Sequence, residues 1–465
     1  MSLIPDHELR EAVDALMPRA RVDLERLVAI PSVSFPGFDP AHVDASAAAT
    51  AELLREAGLP DVRIVRAGGR PAVIGRRPAP EGAPTVLLYA HHDVQPAGDP
   101  ALWDSAPFTA VERDGRLFGR GAADDKAGVL AHVTALRALG DRLPVGVVVF
   151  VEGEEEYGSV TLPQLLAEHG TLLSADVIVI ADSQNWDIGA PSVTTSLRGT
   201  VNLFVDVRTS ERAVHSGMFG GPVPDALTAL VRLLGTLHDE KGSVAVAGLK
   251  AVDGVGSPGS AGAAAGSRVD YPEERLRREA GLMAGVELIG TGAITERLWD
   301  KPAISVLGID APRTDAAPNA LIPAARAKVG VRFAPSDSIA SVHAAVRAHL
   351  LRHAPWGAQV TVELEHDGAP CLLDSGGPAH ATARDALRDA WDGTEPVEIG
   401  VGGSIPFIAA FRAMFPHAEV IVTGVEDPES SAHGPNESLH LGEFARACFA
   451  EALLLSRLGG GPAAR

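Results

Sequence analysis

The sequence predicts an α/β catalytic domain with a mostly parallel central sheet, interrupted by an inserted α+β domain. Short, uniformly apolar runs alternate with helical patterns in residues 1–195, as in sheets covered by helices on both faces. Residues 196–368 contain strands that alternate apolar and polar positions, which indicates a half-exposed sheet. The buried pattern returns in residues 369–465. We therefore expect a catalytic domain that is discontinuous in sequence.

Each element of the catalytic domain is predicted from its apolar pattern. An amphipathic helical segment covers residues 7–30, within which Pro18 predicts a kink or break. The other elements are buried strands and the helices between them: strands at 85–90, 145–151, 176–181, 397–401 and 419–424, and helices at 126–139 and 162–168.

The insertion is predicted from alternating strands, two helices and one biased segment. The strands lie at 201–208 and 327–333, and the helices near 224–237 and 337–352. Residues 242–267 consist mainly of Gly, Ala and Ser, a composition that buries too little apolar surface to offset the entropy of ordering. We expect an exposed loop there.

Composition excludes several classes of function. The chain has 465 residues, 46% hydrophobic residues and a net charge of -20, and it contains no apolar run long enough to cross a membrane. A strongly acidic chain without a basic stripe repels nucleic acid. The first residues lack the apolar core of a signal peptide, so we expect a soluble, cytoplasmic protein. Cys371 and Cys448 are predicted to be inert core residues.

Acids and histidines follow four of the five predicted buried strands of the catalytic domain, those at 85–90, 145–151, 176–181 and 419–424. Because ligands bind beyond the carboxyl ends of strands in open α/β sheets, these residues predict a site. They fall in five stretches: His91 to Asp93, Asp124 and Asp125, Glu152 to Glu156, Asp182, and the acidic loop that reaches His433.

Imidazole and carboxylate without thiolate suit zinc, cobalt or manganese, and a bridging carboxylate allows two ions. Two such ions polarise a carbonyl and activate water, which predicts amide hydrolysis. Each stretch also has a structural interpretation. His91 and Asp93 could be a hydrogen-bonded pair, Asp124 and Asp125 a helix cap, and the run at 154–156 a solvated face. One metal site explains all of them together.

These motifs, in this order, resemble a family of metallopeptidases. The family includes carnosine-type cytosolic dipeptidases, glutamate carboxypeptidase, succinyl-diaminopimelate desuccinylase and aminoacylase. The resemblance covers nearly the whole chain and is closest to the dipeptidase branch. It rests on seven motifs: YAHHDVQP (89–96), LFGRGAADDKAG (117–128), EGEEEYGS (152–159), IADS (180–183), VHSGMFGG (214–221), GGSIP (402–406) and AHGPNE (432–437).

The resemblance implies two divalent metal ions per subunit, with zinc as the first expectation. It implies that Asp124 bridges the ions, that His91 and Asp182 complete one site, and that Glu156 and His433 complete the other.

The resemblance also implies two roles behind the metal ligands. Asp93 accepts the second ring N–H of His91 and fixes its tautomer. Glu155 is the general base, which moves a proton from water to the leaving amine.

The resemblance makes the insertion a lid that also forms a homodimer. It implies that His215 stabilises the oxyanion in the partner's active site, and that Arg332 and Asn319 contact the substrate's carboxylate, with help from Gly403 and Ser404 of the catalytic domain. Arginine suits this task because its fork pairs a carboxylate bidentately. The structural alternatives are a surface or interface histidine and a solvated arginine.

Two ambiguities of register remain at this stage. His92 is adjacent to His91, and the spacing to Asp93 favours His91 as the ligand. Glu154 precedes the glutamate pair, and the following Tyr-Gly-Ser favours Glu155 and Glu156.

The expected activity is hydrolysis of dipeptides or small peptides. The same site and chemistry would serve an N-acyl-amino-acid amidohydrolase, a desuccinylase or a carboxypeptidase. A non-catalytic metal-binding scaffold is the remaining alternative, although no ligand or base is missing from the motifs.

Overall fold

The computed structural model describes residues 4–250, 269–403 and 406–460. The chain divides into two compact units. Unit 1 comprises Met1–Thr195, Leu373–Ile399 and Pro406–Arg465, and unit 2 comprises Ser196–Leu372 and Gly400–Ile405.

Helices and strands are numbered here in chain order. Up to residue 197 they are α1 Asp6–Val28, α2 Pro40–Glu56, β1 Asp61–Val65, β2 Ala72–Arg77, β3 Thr85–His91, β4 Val111–Arg113, β5 Arg116–Phe118, α3 Lys126–Leu139, β6 Gly146–Glu152, α4 Leu162–His169, β7 Val177–Ile180 and β8 Ser192–Leu197. Those up to residue 372 are β9 Gly199–Arg208, β10 Val214–His215, α5 Ser216–Phe219, α6 Ala226–Leu234, α7 Glu273–Glu279, α8 Ile294–Trp299, β11 Ala303–Asp310, β12 Ala320–Leu321, β13 Ala324–Phe333, α9 Ile339–Arg352, β14 Gln359–Gly368 and β15 Cys371–Leu372. The remainder are α10 Pro378–Ala390, β16 Val397–Val401, α11 Pro406–Met414, β17 Glu419–Val422, β18 Ser438–His440 and α12 Leu441–Leu458.

The large sheet confirms the predicted α/β class. Its central strands β6, β3, β7 and β17 are parallel neighbours, whereas β1, β2 and β8 pair antiparallel toward the edges. Every residue of β6 and β7 is buried, because helices cover both faces of a parallel sheet. Helices α1, α3, α10 and α12 contribute to the same core.

Unit 2 has a four-stranded antiparallel sheet in the order β11, β13, β9, β14. Along β9 and β13 buried and partly exposed residues alternate. The buried face forms a core with α6 and α9. This one-sided burial is the reason that the strand pattern changes at residue 196.

Two sequence predictions need correction. Helix α1 runs from Asp6 to Val28 with Pro18 inside it, so Pro18 does not end the helix. Gly403 was placed in the catalytic domain, but the segment that begins at Gly400 groups with unit 2.

Three further predictions concern the Gly/Ala/Ser-rich segment, the two cysteines and membrane-spanning helices. The start of the predicted 242–267 loop, residues 242–250, is described, and 251–267 lies outside the described residues. Cys371 and Cys448 are buried, which confirms their predicted core positions. Among the described residues, no helix has both the length and the apolarity needed to span a bilayer.

Candidate metal centre

The carboxyl ends of the parallel strands in unit 1 bring the predicted ligands together. His91 is the last residue of β3. Asp182 follows β7, and Glu156 lies in a short 3-10 turn, Glu155–Tyr157, just beyond β6. His433 lies in the loop after β17. Neighbouring parallel strands end at one edge of the sheet, so residues far apart in sequence meet there.

Asp124 lies between the two histidines. Its Oδ1 is 3.0 Å from Nε2 of His91, and its Oδ2 is 3.0 Å from Nε2 of His433. Glu156 Oε2 is 3.1 Å from the same nitrogen of His433, and Asp182 Oδ1 is 3.9 Å from His91 Nε2. One carboxylate therefore faces both imidazoles, with one further carboxylate on each side.

Asp125 is a candidate ligand that the sequence analysis did not assign. It forms a close group with His91 and Asp182, and a second group contains His91, Asp124 and Glu156; within each, the ligand atoms lie within 4.8 Å of one another. Asp125 also accepts a hydrogen bond from the backbone N–H of His91 at 3.1 Å. Its position next to Asp124 was the available signal.

Asp93 supports both His91 and the glutamate turn. The ring nitrogen Nδ1 of His91 is 3.1 Å from the main-chain oxygen of Asp93 and 3.5 Å from its Oδ1. The Asp93 carboxylate also accepts backbone N–H bonds from Glu155 and Glu156, at 3.2 and 3.1 Å. Asp93 thus fixes the orientation of an imidazole and the position of the turn.

Hydrogen bonds distinguish the three consecutive glutamates. The carboxylate of Glu154 accepts bonds from Thr161 and from the backbone N–H of Arg70. Glu156 instead faces His433 and accepts a bond from Gln95 Nε2 at 2.7 Å. This arrangement favours the register in which Glu156 is a ligand.

The adjacent histidines are distinguished in the same way. His92 is fully buried, and its Nε2 is 2.9 Å from the carbonyl oxygen of Pro71. Burial lowers its pKa to about 4. His92 is thus a neutral core residue, and His91 is the histidine that contacts the carboxylates.

The electrostatics of the cluster favour bound cations. Burial lowers the pKa of His91, but hydrogen bonds to Asp124 and Asp93 outweigh this and raise it well above its usual value. Hydrogen bonds to Asp124 and Glu156 raise the pKa of His433 to about 11. Both shifts arise from the negative charge buried around the imidazoles, which also favours a bound cation.

Several carboxyl groups in the cluster resist ionisation. Burial raises the pKa of Glu155 well above its usual value, and the charge of Asp182 raises it further. Burial likewise raises the pKa of Asp182, with contributions from Asp125, Asp124 and Glu426. The described cluster offers imidazole nitrogens and carboxylate oxygens and contains no cysteine. Such a set of ligands fits borderline divalent metal ions.

A buried ion pair holds the loop that carries Asp124. Glu437 is fully buried, and its Oε2 accepts a bond from Arg120 at 2.6 Å. The same carboxylate accepts backbone N–H bonds from Gly121, Ala123 and Asp124, at 2.9, 2.9 and 3.0 Å. Glu437 is the last residue of the AHGPNE motif, and its role was not predicted from the sequence.

Unit 2 holds the remaining predicted residues. His215 pairs with Ala320 in the β10–β12 ribbon, and the carbonyl of Asn319 accepts hydrogen bonds from Ser216. The predicted residues His215 and Asn319 therefore lie close together. Arg332 lies on β13 and is exposed. Gly403 belongs to the same unit, and Ser404 lies outside the described residues.

The tautomer of His215 follows from its local contacts. Its Nδ1 accepts a hydrogen bond from the backbone N–H of Gly217 at 3.0 Å. A neutral imidazole that accepts at Nδ1 carries its proton on Nε2. The exposed edge of His215 is therefore a hydrogen-bond donor, as an oxyanion-stabilising residue must be.

The fold, together with a cluster of histidines and carboxylates at the carboxyl ends of the strands, is typical of a metal-dependent hydrolase. Residues 87–456 match the model of peptidase family M20/M25/M40. The chain belongs to this family.

Relatives and solved structures agree with the assignment. A cysteinylglycine-S-conjugate dipeptidase of Corynebacterium striatum is 36% identical over 432 residues, which cover 92% of each protein. The human Beta-Ala-His dipeptidase is 29% identical over 377 residues, 77% of this chain and 71% of that protein. The structure of the dipeptidase Dug1p from Saccharomyces cerevisiae has the same fold, with a TM-score of 0.82, 24% identity and coverage of 98% and 99%.

Proposed function

We propose that this protein is a dipeptidase that uses two divalent metal ions to hydrolyse the amide bond of dipeptides. The observation that carries the proposal is the position of Asp124, whose two oxygens each lie 3.0 Å from a different imidazole. The named activity of the 36% identical relative supports dipeptides as the substrate class.

The proposed ligands follow from the cluster in unit 1. Asp124 would bridge the ions, His91 and Asp182 would hold one, and Glu156 and His433 the other. Bound there, two divalent cations would polarise the amide carbonyl and make water acidic near neutral pH. We propose zinc as the resident metal, with manganese and cobalt compatible with the same ligands.

Glu155 is the proposed general base. Its side chain is partly buried beside the ligands, and its pKa is raised by burial and by the charge of Asp182. Bound cations would lower that pKa from its metal-free value, toward the range in which a carboxylate exchanges protons at working pH. Glu155 would take a proton from the attacking water and deliver it to the leaving amine.

Residues of unit 2 would bind the rest of the substrate. His215 would donate its Nε2 proton to the oxyanion in a partner subunit, which makes a homodimer part of the proposal. Arg332 and Asn319 would contact the free carboxylate, assisted by Gly403 and Ser404. A free carboxylate on the leaving residue implies an exopeptidase, and we propose that the enzyme acts in the cytoplasm.

The test is a substrate panel applied to protein freed of metal by chelation. The panel contains Cys-Gly, an S-substituted Cys-Gly, β-Ala-His, N-acetyl-methionine and an N-succinyl amino acid. Zinc, manganese or cobalt is added back while bound metal is counted. We expect dipeptide cleavage to return at about two metals per chain. Cleavage of only the acylated amino acids would reject the dipeptidase and favour an amidohydrolase, whereas two bound metals without any hydrolysis would indicate a scaffold.

A further inference from the structure

Arg198 is a buried arginine of unit 2, and no carboxylate of the described residues pairs with it. It precedes β9 and is 8% exposed. Its Nη1 donates long hydrogen bonds to the carbonyls of Arg297 and Lys301, at 3.4 and 3.3 Å. In the described part of the chain, its Nε has no hydrogen-bond partner. Among the described residues Arg198 forms no ion pair, so a buried cation retains unused donors.

A second arginine lies beside it. Arg332 of β13 pairs with Thr200 of β9, and residues two apart on a strand lie on the same face. Arg198, two residues before Thr200, is therefore a diagonal neighbour of Arg332. Burial and the charge of Arg332 lower the pKa of Arg198 to about 10. Within the described part of the chain, Arg332 forms no ion pair either.

The surroundings leave this positive charge largely uncompensated. Asp300 is the carboxylate whose charge acts on Arg198, yet it forms no ion pair with Arg198 in the described structure. Burial and the charge of Glu296 raise the pKa of Asp300 to about 6. Two neighbouring guanidinium groups with one weak acid nearby favour an added anion.

A glycine brings the backbone close to the same guanidinium. A Cβ atom added to Gly402 would lie 2.9 Å from Nη2 of Arg198. The backbone of Gly402 therefore lies against one side of the guanidinium group.

We propose that Arg198 is a second binding residue for the free carboxylate of the substrate, next to Arg332. The planar guanidinium presents Nε and Nη2 as a fork, which matches the two oxygens of a carboxylate. This inference rests on the proposed function for the identity of the ligand. It makes recognition of the carboxylate the task of two arginines rather than of Arg332 alone.

The test compares substrates that differ only in the carboxylate. Wild-type protein, Arg198→Met, Arg198→Lys and Arg332→Met are assayed with Cys-Gly and its C-terminal amide, and with N-acetyl-methionine and its amide. Arg198→Met should lower kcat/KM for the free acid about 10- to 100-fold, the effect of losing a charge-assisted hydrogen bond. The loss should appear mainly in KM, and the amides should be unaffected. Arg198→Lys should retain part of the preference.

Controls separate binding from folding. Arg347→Met removes an exposed arginine of α9 and should leave all four substrates unchanged. Thermal unfolding checks that Arg198→Met is folded. Because Arg332 is exposed, Arg332→Met should remove the other arginine of the site without a folding defect. If Arg198→Met lowers kcat/KM equally for the acid and the amide, the proposal is overturned. Arg198 would then have only the structural role of donating hydrogen bonds to the carbonyls of Arg297 and Lys301.

The two substrate pairs distinguish this proposal from the proposed function. If wild-type protein cleaves N-acetyl-methionine but no dipeptide, the dipeptidase is rejected and the carboxylate site is tested on the acylated pair. If it cleaves Cys-Gly without preferring the acid over the amide, the dipeptidase stands and the carboxylate site fails.

Discussion

Replacing Glu437 with alanine tests how the loop of Asp124 is held. The change removes a fully buried carboxylate that accepts bonds from Arg120, Gly121, Ala123 and Asp124. Arg120 is itself 1% exposed. It would be left as an uncompensated buried charge, and removal of one partner from such a pair costs about 3–5 kcal/mol.

This cost is large against the stability of the protein. A folded domain is stable by about 5–15 kcal/mol, so Glu437→Ala should remove about a fifth of that or more. The three orphaned backbone donors do not add in full, because all of them lose the same acceptor. Metal affinity should fall about 10- to 100-fold, as when the support behind a metal ligand is lost.

Urea unfolding of the metal-free variants measures the first effect, and zinc titration measures the second. Glu437→Gln keeps the shape and should be intermediate, since one amide oxygen can still accept backbone bonds. Glu11→Ala, on the exposed side of α1, is the matched control. A Glu437→Ala protein with unchanged metal affinity and stability within about 0.5 kcal/mol of wild type would refute the reasoning.

Further predictions concern the metal centre and its pH dependence. Glu155→Gln should retain both metals while kcat falls about 10²- to 10⁴-fold; a fully active variant in steady-state assays would exclude Glu155 as the base. His91→Asn should lose metal in elemental analysis whereas His92→Asn should keep it, and the reverse result would move the ligand by one residue. Burial raises the pKa of Glu152 from 4.5 to about 7, so the folded state holds this proton more tightly than the unfolded state. Its contribution to stability is present below pH 4.5 and is lost as the pH rises through about 7. In urea unfolding of metal-free protein, the free energy of unfolding should therefore fall less between pH 4.5 and about 7 for Glu152→Gln than for wild type. Parallel plots of this free energy against pH would contradict the assignment. Zinc at 100 times its Kd should raise the free energy of unfolding by about 2.7 kcal/mol, and an unchanged melting curve would argue against a folded-state metal site.

The parallel strands could be predicted because burial on both faces leaves continuous apolar runs. The runs at 85–90 and 145–151 became β3 and β6 within a residue or so at each end, and the helix predicted at 126–139 is α3 without change. The antiparallel strands β1 and β2 were not predicted. Their shorter, mixed patterns depend on the partner strand, which local sequence does not reveal.

Candidate site residues could be predicted where they lie at or just beyond the end of a strand. His91 ends β3 and Asp182 lies two residues beyond β7, where ligands of open α/β sheets are expected. Contacts made across hundreds of residues could not be inferred in this way. The bond from Glu437 to Arg120 spans 317 positions, and Arg198 gains its significance only from its neighbour Arg332.

The position of β17 in the sheet has a consequence for how the chain is made. This strand lies between β7 and β8, yet it begins 222 residues after β8 ends, since 419 minus 197 is 222. At about 5–20 residues per second, the ribosome takes roughly 10 to 45 s to supply it. During that interval β7 and β8 have unpaired edges inside what will become the core, a state that invites aggregation. The place of β17 in the sheet therefore stays empty until nearly the whole insertion has been made.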